Sequence, residues 1–316
     1  MRLVFLGTPA FAVPTLKRCV AAGHEVSCVV TQPDRPRGRG QHPAFSEVKE
    51  VALRLGLSVY QPERVRRPEA LEHLRSLAVD AMVVVGYGQI IPQAVIDLAP
   101  LGIINVHASL LPKYRGAAPV QWAIARGETE TGVTTMRIDA GLDTGDMLLR
   151  AKTEIGAEET AVELGHRLAT LGADLLVETL AHTHEIVPEK QDEARATWAP
   201  LLKKEDGVID WGLSAFALHN RVRGLQPWPG AYTTFRGQKL HIWASRPQLR
   251  PAVHPAPGHF LTLKPPAVCC GEGALELIEV QLEGRKRISG GDFVNGQRVS
   301  DNDSLGESPR EIRPAG

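Results

Sequence analysis

Four short apolar runs, each ending at a glycine or a polar residue, constrain this fold more than any other feature of the chain. Residues 3–6 stop at Gly7, and residues 26–30, 81–85 and 102–106 repeat the device. Runs of this length, apolar almost throughout, suit strands buried on both faces. Between them the apolar residues take helical spacing: residues 11–22, closed by Gly23, then 44–55 and 68–77. Strand and helix in alternation imply an α/β domain built on a Rossmann-like parallel sheet with helices on both faces. Ligands of such sheets bind beyond the carboxyl ends of the strands. Gly7, Gly86 and the run from Asn105 to His107 stand at or near such ends.

Length argues for two domains, since 316 residues exceed one ordinary core. The first is expected over 1–188, with a long amphipathic helix at 160–180. Residues 189–205 are polar and read as a linker. From 206 to 300 a helix at 214–223, capped by Ser214, is followed by short apolar runs at 231–235, 240–244, 267–270 and 275–280. Glycine and proline divide these runs, as in a small antiparallel sheet or barrel. Residues 301–316 are polar and read as a disordered tail.

Thirty-six basic residues balance thirty-six acidic ones, so the chain carries no general coat for nucleic acid. Local patches remain open. Between 206 and 300 eleven Lys/Arg face seven Asp/Glu. Cys19, Cys28, Cys269 and Cys270 have no zinc-like spacing and read as reduced thiols. The opening run is too short for a secretory signal, and no segment nears the ~20 apolar residues of a membrane span. A cytoplasmic protein is expected, and a monomer, since no exposed helical seam is evident.

The chemistry concentrates in residues 102–119, GIINVHASLLPKYRGAAP. Strand alternation puts Asn105 and His107 on one side and Val106 on the other. Two polar side chains thus emerge together at the mouth of a sheet. A turn asparagine and a backbone-bonded histidine are the plainer reading of that pair alone. Leu110 and Leu111 follow on a loop, where exposed leucines are costly unless a ligand or another segment covers them. Residues 134–146 then bring three acids and two glycines between apolar stretches. By itself such a loop is a turn, with too few ligands for an EF-hand type of calcium site. Asp143 is placed to approach His107.

Taken together, N-x-H-x-S-L-L-P-x-Y-R-G followed by G-L-D-T-G-D resembles the active-site signature of folate-dependent formyltransferases. Within that family the chain is most similar to the branch that acts on methionyl-tRNA. LVFLGTPAF at 3–11, TQPDRP at 31–36, GRG at 38–40, WAP at 198–200, the stretch 203–206, IDW at 209–211, PWPG at 227–230 and GGDF at 290–293 carry the likeness, which spans residues 2 to about 297. The resemblance implies a Rossmann-like formyltransferase domain joined to a C-terminal OB-like β-barrel. It implies formyl transfer from 10-formyltetrahydrofolate, leaving tetrahydrofolate, to the amine of initiator methionyl-tRNA, with no metal.

Under that reading Asn105, a neutral donor, suits the oxyanion. His107 suits proton traffic, because imidazole titrates at about pH 6.5. Asp143 orients His107. The donor is expected against Ser109, Leu110, Leu111 and Pro112, and against Gly86, Tyr87 and Gly88. Arg35, Arg37 and Arg39 on an insertion loop, with Arg285, Lys286 and Arg287 in the second domain, are expected to meet tRNA. One departure is that Gln41 and His42 stand where the family loop often carries lysines. Transfer to a small amine (glycinamide ribonucleotide or an amino sugar), folate deformylation, and RNA binding without catalysis are the alternatives. A dinucleotide enzyme is disfavoured, because Gly7-Thr8-Pro9-Ala10-Phe11 is not G-x-G-x-x-G and Pro9 offers no N–H to a phosphate.

Overall fold

The computed structural model of the protein describes residues 1–37, 42–249, 255–300 and 302–306. The chain divides into two compact units. One comprises Met1–Pro119, Glu130–Glu154 and Gly165–Pro200; the other comprises Val120–Thr129, Ile155–Leu164 and the chain from Leu201 onward.

The first unit opens with β1 (Arg2–Gly7), α1 (Val13–Ala21) and β2 (Glu25–Val30). A ribbon of β3 (Arg35–Arg37) and β4 (His42–Ala44) precedes α2 (Glu47–Arg54). Ser46 starts α2, its hydroxyl accepting from the Lys49 N–H at 3.1 Å, as an N-cap should. β5 (Val59–Tyr60), α3 (Pro68–Ser76), β6 (Ala81–Val85), α4 (Gln93–Ile96) and β7 (Ile103–His107) follow. Along the chain α5 (Pro119–Ala125), which falls almost wholly in the second unit, precedes β8 (Glu130–Arg137), β9 (Met147–Glu154) and the long α6 (Ala161–Ala181), which belongs to the first unit from Gly165.

The strands form one sheet in the order β5-β2-β1-β6-β7-β8-β9. The five from β5 to β7 are parallel; β6 is buried along its whole length, as its unbroken apolar sequence requires, and β7 is buried too although it carries Asn105 and His107. β8 and β9 add antiparallel to β7. From β1 the chain steps outward through β2 to β5, then returns and steps the other way through β6. The switch point therefore lies between β1 and β6, the place where open α/β sheets bind ligands.

Residues 134–137, read from sequence as part of a loop, lie in β8. Its buried Thr134 and Thr135 replace the expected apolar side chains and satisfy their hydroxyls inside the fold. The stretch read as a linker is also structured. Glu189 pairs with Met147 through both backbone groups, at 2.8 and 2.9 Å, and residues up to Pro200 belong to the first unit.

In the second unit α7 (Ala215–Gly224) is capped by Ser214. β10 (Ala231–Phe235), β11 (Gln238–Gln248), β12 (Phe260–Leu263), β13 (Pro266–Cys269), β14 (Ala274–Leu282) and β15 (Ile288–Ser289) pair antiparallel in the order β10-β11-β14-β13-β12, with β15 on β14. α8 (Gly290–Gln297) closes the core, where Phe293 meets Phe235 edge-on at 5.1 Å. Residues 302–306, read as part of a disordered tail, are structured. Leu305 is buried, its N–H donates to Gly258 O at 2.8 Å, and Asp303 pairs with Arg236 at 2.9 Å. Residue 301 and residues 307–316 lie outside the described residues. Among the described residues no helix is long and apolar enough to cross a membrane.

Candidate active site

β7 delivers Asn105 and His107 to the same side of the sheet, both buried. The Nε2 of His107 lies 2.9 Å from the carbonyl oxygen of Tyr114. A carbonyl can only accept, so Nε2 carries the proton and Nδ1 is left as the basic nitrogen. Nδ1 faces Asp143 Oδ2 at 3.6 Å. That oxygen accepts in turn from the Gly116 N–H at 2.9 Å. A proton gained at Nδ1 would meet a carboxylate already held in place. Among the described residues no group hydrogen-bonds the Asn105 side-chain amide, so its donors are available to a substrate. The three residues expected to be catalytic are thus brought together, with a neutral donor beside a histidine–carboxylate pair.

Tyr114 and Asp143, whose oxygens face the two ring nitrogens of His107, both have left-handed backbone, at φ 60° and 54°. Non-glycine residues hold that conformation only where neighbours impose it. Here Gly116 allows the close approach that imposes it. Its φ is +115°, and a Cβ there would stand 2.7 Å from the Ala199 carbonyl oxygen.

The loop from Ser109 to Pro112 is only partly a ligand surface. Ser109 is buried, its hydroxyl donating to Lys113 O at 2.6 Å and its carbonyl accepting from Thr134 Oγ1 at 2.7 Å. Leu111, expected to be covered by the donor or by another segment, is 1 % accessible and packs with Met136 and Met147. Strands β8 and β9 supply that cover. Pro112 is buried and Leu110 half-buried. The large apolar side chains that do face outward on neighbouring loops are Leu142 and Ile90, 59 % and 92 % exposed.

Gly86, Tyr87 and Gly88 line a cavity of about 570 Å³ at the β1–β6 switch point, together with Thr8, Gln32 and Arg35. Thr8 Oγ1 and Gln32 Nε2 both donate to the Tyr87 carbonyl, at 3.2 and 3.1 Å. Gly86, at φ +59°, brings this turn within 2.9 Å (measured from an added Cβ) of Pro9 Cγ. The structure therefore joins one predicted donor segment to a predicted RNA residue, Arg35. The base of the insertion loop is fixed by Asp34, which Lys49 and Gln61 hydrogen-bond and so hold below the usual carboxylate range. Arg37 lies in β3; Arg39 lies outside the described residues.

In the second unit Arg285, Lys286 and Arg287 are exposed. Sequence reasoning missed their setting. Arg287 lies 3.7 Å over the ring of Trp243, which stacks on His241 at 5.4 Å. His241 meets Tyr232 at 5.6 Å, and Lys239 lies 4.1 Å over Tyr232. Burial, then Lys239, hold the His241 imidazole below its ordinary pKa. Also missed was the role of Arg115, Gln191 and Glu193. Arg115 is 1 % exposed, and a buried guanidinium requires a carboxylate partner. Only the composition of 189–195, polar and acidic, hinted at where that partner was.

The family comparison assigns this fold and this histidine–carboxylate site to the formyltransferase class. The chain matches the formyl transferase family model over residues 1–180 and the formyl transferase C-terminal domain model over residues 201–298, and it belongs to that family. It is 72 % identical to the methionyl-tRNA formyltransferase of Solibacter usitatus over 309 residues, 97 % of this chain and 99 % of that one. Among solved structures it resembles in fold an N-formyltransferase from Helicobacter canadensis in complex with folinic acid and dTDP-3-aminofucose, with TM-score 0.64 and 18 % identity over 87 % of this chain and 98 % of that one. It also resembles HypX from Aquifex aeolicus in complex with tetrahydrofolic acid, with TM-score 0.63 and 17 % identity. The match takes in 94 % of this chain but spans about half of that protein, 48 %.

Proposed function

We propose that the protein moves the formyl group of 10-formyltetrahydrofolate to the amine of methionine esterified to initiator tRNA. The observation that carries this reading is the 72 % identity to an enzyme of that name, continuous through both units. The site supplies the chemistry. The amine attacks the formyl carbon, and the carbonyl oxygen becomes an oxyanion that the Asn105 amide can bind. His107 Nδ1 takes the proton that the amine must lose, and Asp143 faces the charge so formed. Collapse of the tetrahedral carbon breaks its bond to N10, which leaves with the proton that His107 gives back.

The donor lies against the loops that expose Leu142 and Ile90, apolar groups a flat heterocycle would cover, against the half-buried Leu110 and against the turn Gly86, Tyr87, Gly88. Arg35, exposed at the edge of the cavity that the turn lines, meets the anionic acceptor end. No step calls for a metal, because the folate nitrogen already activates the formyl group. Transfer to a small amine accounts poorly for a second domain rich in exposed cations.

The test is a competition. The protein is incubated with donor labelled in the formyl carbon, charged initiator tRNA, glycinamide ribonucleotide and an amino-sugar nucleotide. Label is expected in the tRNA. Preferential labelling of either small amine would overturn the assignment.

A further inference from the structure

Both groups that face the ring nitrogens of His107 are held from one strap of chain, residues 191–199. The Tyr114 carbonyl, which receives the His107 Nε2 proton, belongs to a residue whose own N–H donates to Thr197 Oγ1 at 2.8 Å. Next to it, Arg115 N donates to Thr197 O at 2.8 Å and Arg115 O accepts from Ala199 N at 2.7 Å. On the other side of the imidazole, Gln191 Nε2 donates to the backbone carbonyls of Asp143 and Gly145, both at 2.8 Å. These two bonds span the left-handed turn that aims the Asp143 carboxylate at Nδ1. Gln191 is held in turn. Its Oε1 accepts from Arg115 Nε at 2.9 Å, while the two terminal nitrogens of Arg115 grip Glu193 at 2.9 and 2.7 Å.

We propose that Gln191 and Arg115 are positioning residues for formyl transfer, fixing the Asp143 turn and the Tyr114 carbonyl around His107. The chemistry of position 191 is specific. One side chain must accept from a guanidinium and donate to two carbonyls, which a primary amide does and neither a carboxylate nor an ammonium can. Arg115, bound into the buried backbone and to Glu193, gives the amide its orientation. The strap thus sets the separation of His107 and Asp143 without touching either reacting molecule. The proposal rests on the reading that Asn105, His107 and Asp143 carry the transfer.

The experiment measures kcat and KM for donor and charged tRNA in the full chain, for Gln191→Ala, Gln191→Glu, Asp143→Ala and the Gln191→Ala/Asp143→Ala double variant. Gln191→Glu is the discriminating change. It strengthens the pairing with Arg115, and so keeps the strap seated, but presents an acceptor to two carbonyl oxygens. Both Gln191 variants should lose kcat about ten- to a hundred-fold, as small misplacements of catalytic groups do, with either KM moved less than about three-fold. The double variant should be no slower than Asp143→Ala alone, since the two act through one group. Wild-type kcat in Gln191→Glu would reduce Gln191 to a tether for Arg115 and overturn the proposal, as would full additivity in the double variant. If Asp143→Ala itself turns over normally, the reading of the site fails and the proposal with it. If Asp143→Ala is slow and Gln191→Glu is not, only the positioning role fails.

Discussion

At the level of single residues, the site divides into side chains that speak for themselves in the sequence and side chains that do not. Asn105 and His107 were legible because a strand's alternation fixes which neighbours share a side, and Asp143 because its glycine-flanked loop had to turn. Asn105→Ala should slow the chemical step by about 2.7–4 kcal/mol of barrier, the usual worth of one oxyanion donor, with donor affinity kept. Single-turnover transfer checks it; a loss confined to KM would move Asn105 out of the transition state. Leu111 was expected against the donor, with packing under the loop as the plainer reading; its cover is Met136 and Met147, from strands distant in sequence. Leu111→Ala should therefore cost about 2–5 kcal/mol of stability, like other buried leucine truncations, read as a lower urea midpoint. A variant of normal stability but weakened donor binding would return Leu111 to the ligand surface.

Among the elements, the parallel core strands were readable as apolar runs, but β8, β9 and α8 were not. β8 buries threonines where apolar residues were sought, and their hydroxyls are satisfied only by tertiary partners, Ser109 O and Thr179. β9 is an edge strand with one face open, so its pattern is interrupted. α8 carries glycines at 290, 291 and 296, poor helix formers that the Ser289 cap and the burial of Phe293 and Val294 outweigh. The strap at 191–199 looked like a solvated linker because the partners it binds sit far back in the chain, 46 residues at Gly145, 76 at Arg115 and 83 at Tyr114. Its acidic anchor has a pH signature. The hydrogen bond from Arg115 holds the Glu193 carboxyl below its ordinary pKa. A carboxylate depressed in the folded state stabilises above its unfolded pKa, and that contribution is lost as pH falls through the folded value. Glu193→Gln should thus lower the thermal midpoint at pH 7, and the gap from wild type should begin to narrow near the ordinary glutamate value of about 4.3 and close only below the depressed folded one. A gap that stays constant in acid would mean that the ion pair is not what holds the strap.

For the molecule as a whole, balanced charge concealed any preference for a polyanion, since recognition depends on where the cations stand rather than on their sum. The order of a Rossmann-like domain and an antiparallel β domain was legible from the change in run length near residue 206. The membership of 120–129 and 155–164 in the second compact unit was not, because nothing local marks those stretches. If the second unit offers a phosphate track, Arg285→Glu with Lys286→Glu should weaken tRNA binding and flatten its salt dependence, through fewer counterions released. Arg35→Ala should raise KM for tRNA and spare donor binding. Unchanged tRNA affinity across a range of salt in both would place recognition elsewhere. The central claim, that His107 moves the proton in formyl transfer to methionyl-tRNA, is tested most directly by single-turnover transfer from preformed donor complexes of the wild-type chain and His107→Ala. The account predicts a fall of about 10²–10⁴-fold in the transfer rate, the range of general acid–base catalysis, with the donor titration unchanged. Equal transfer rates in the two proteins would contradict it.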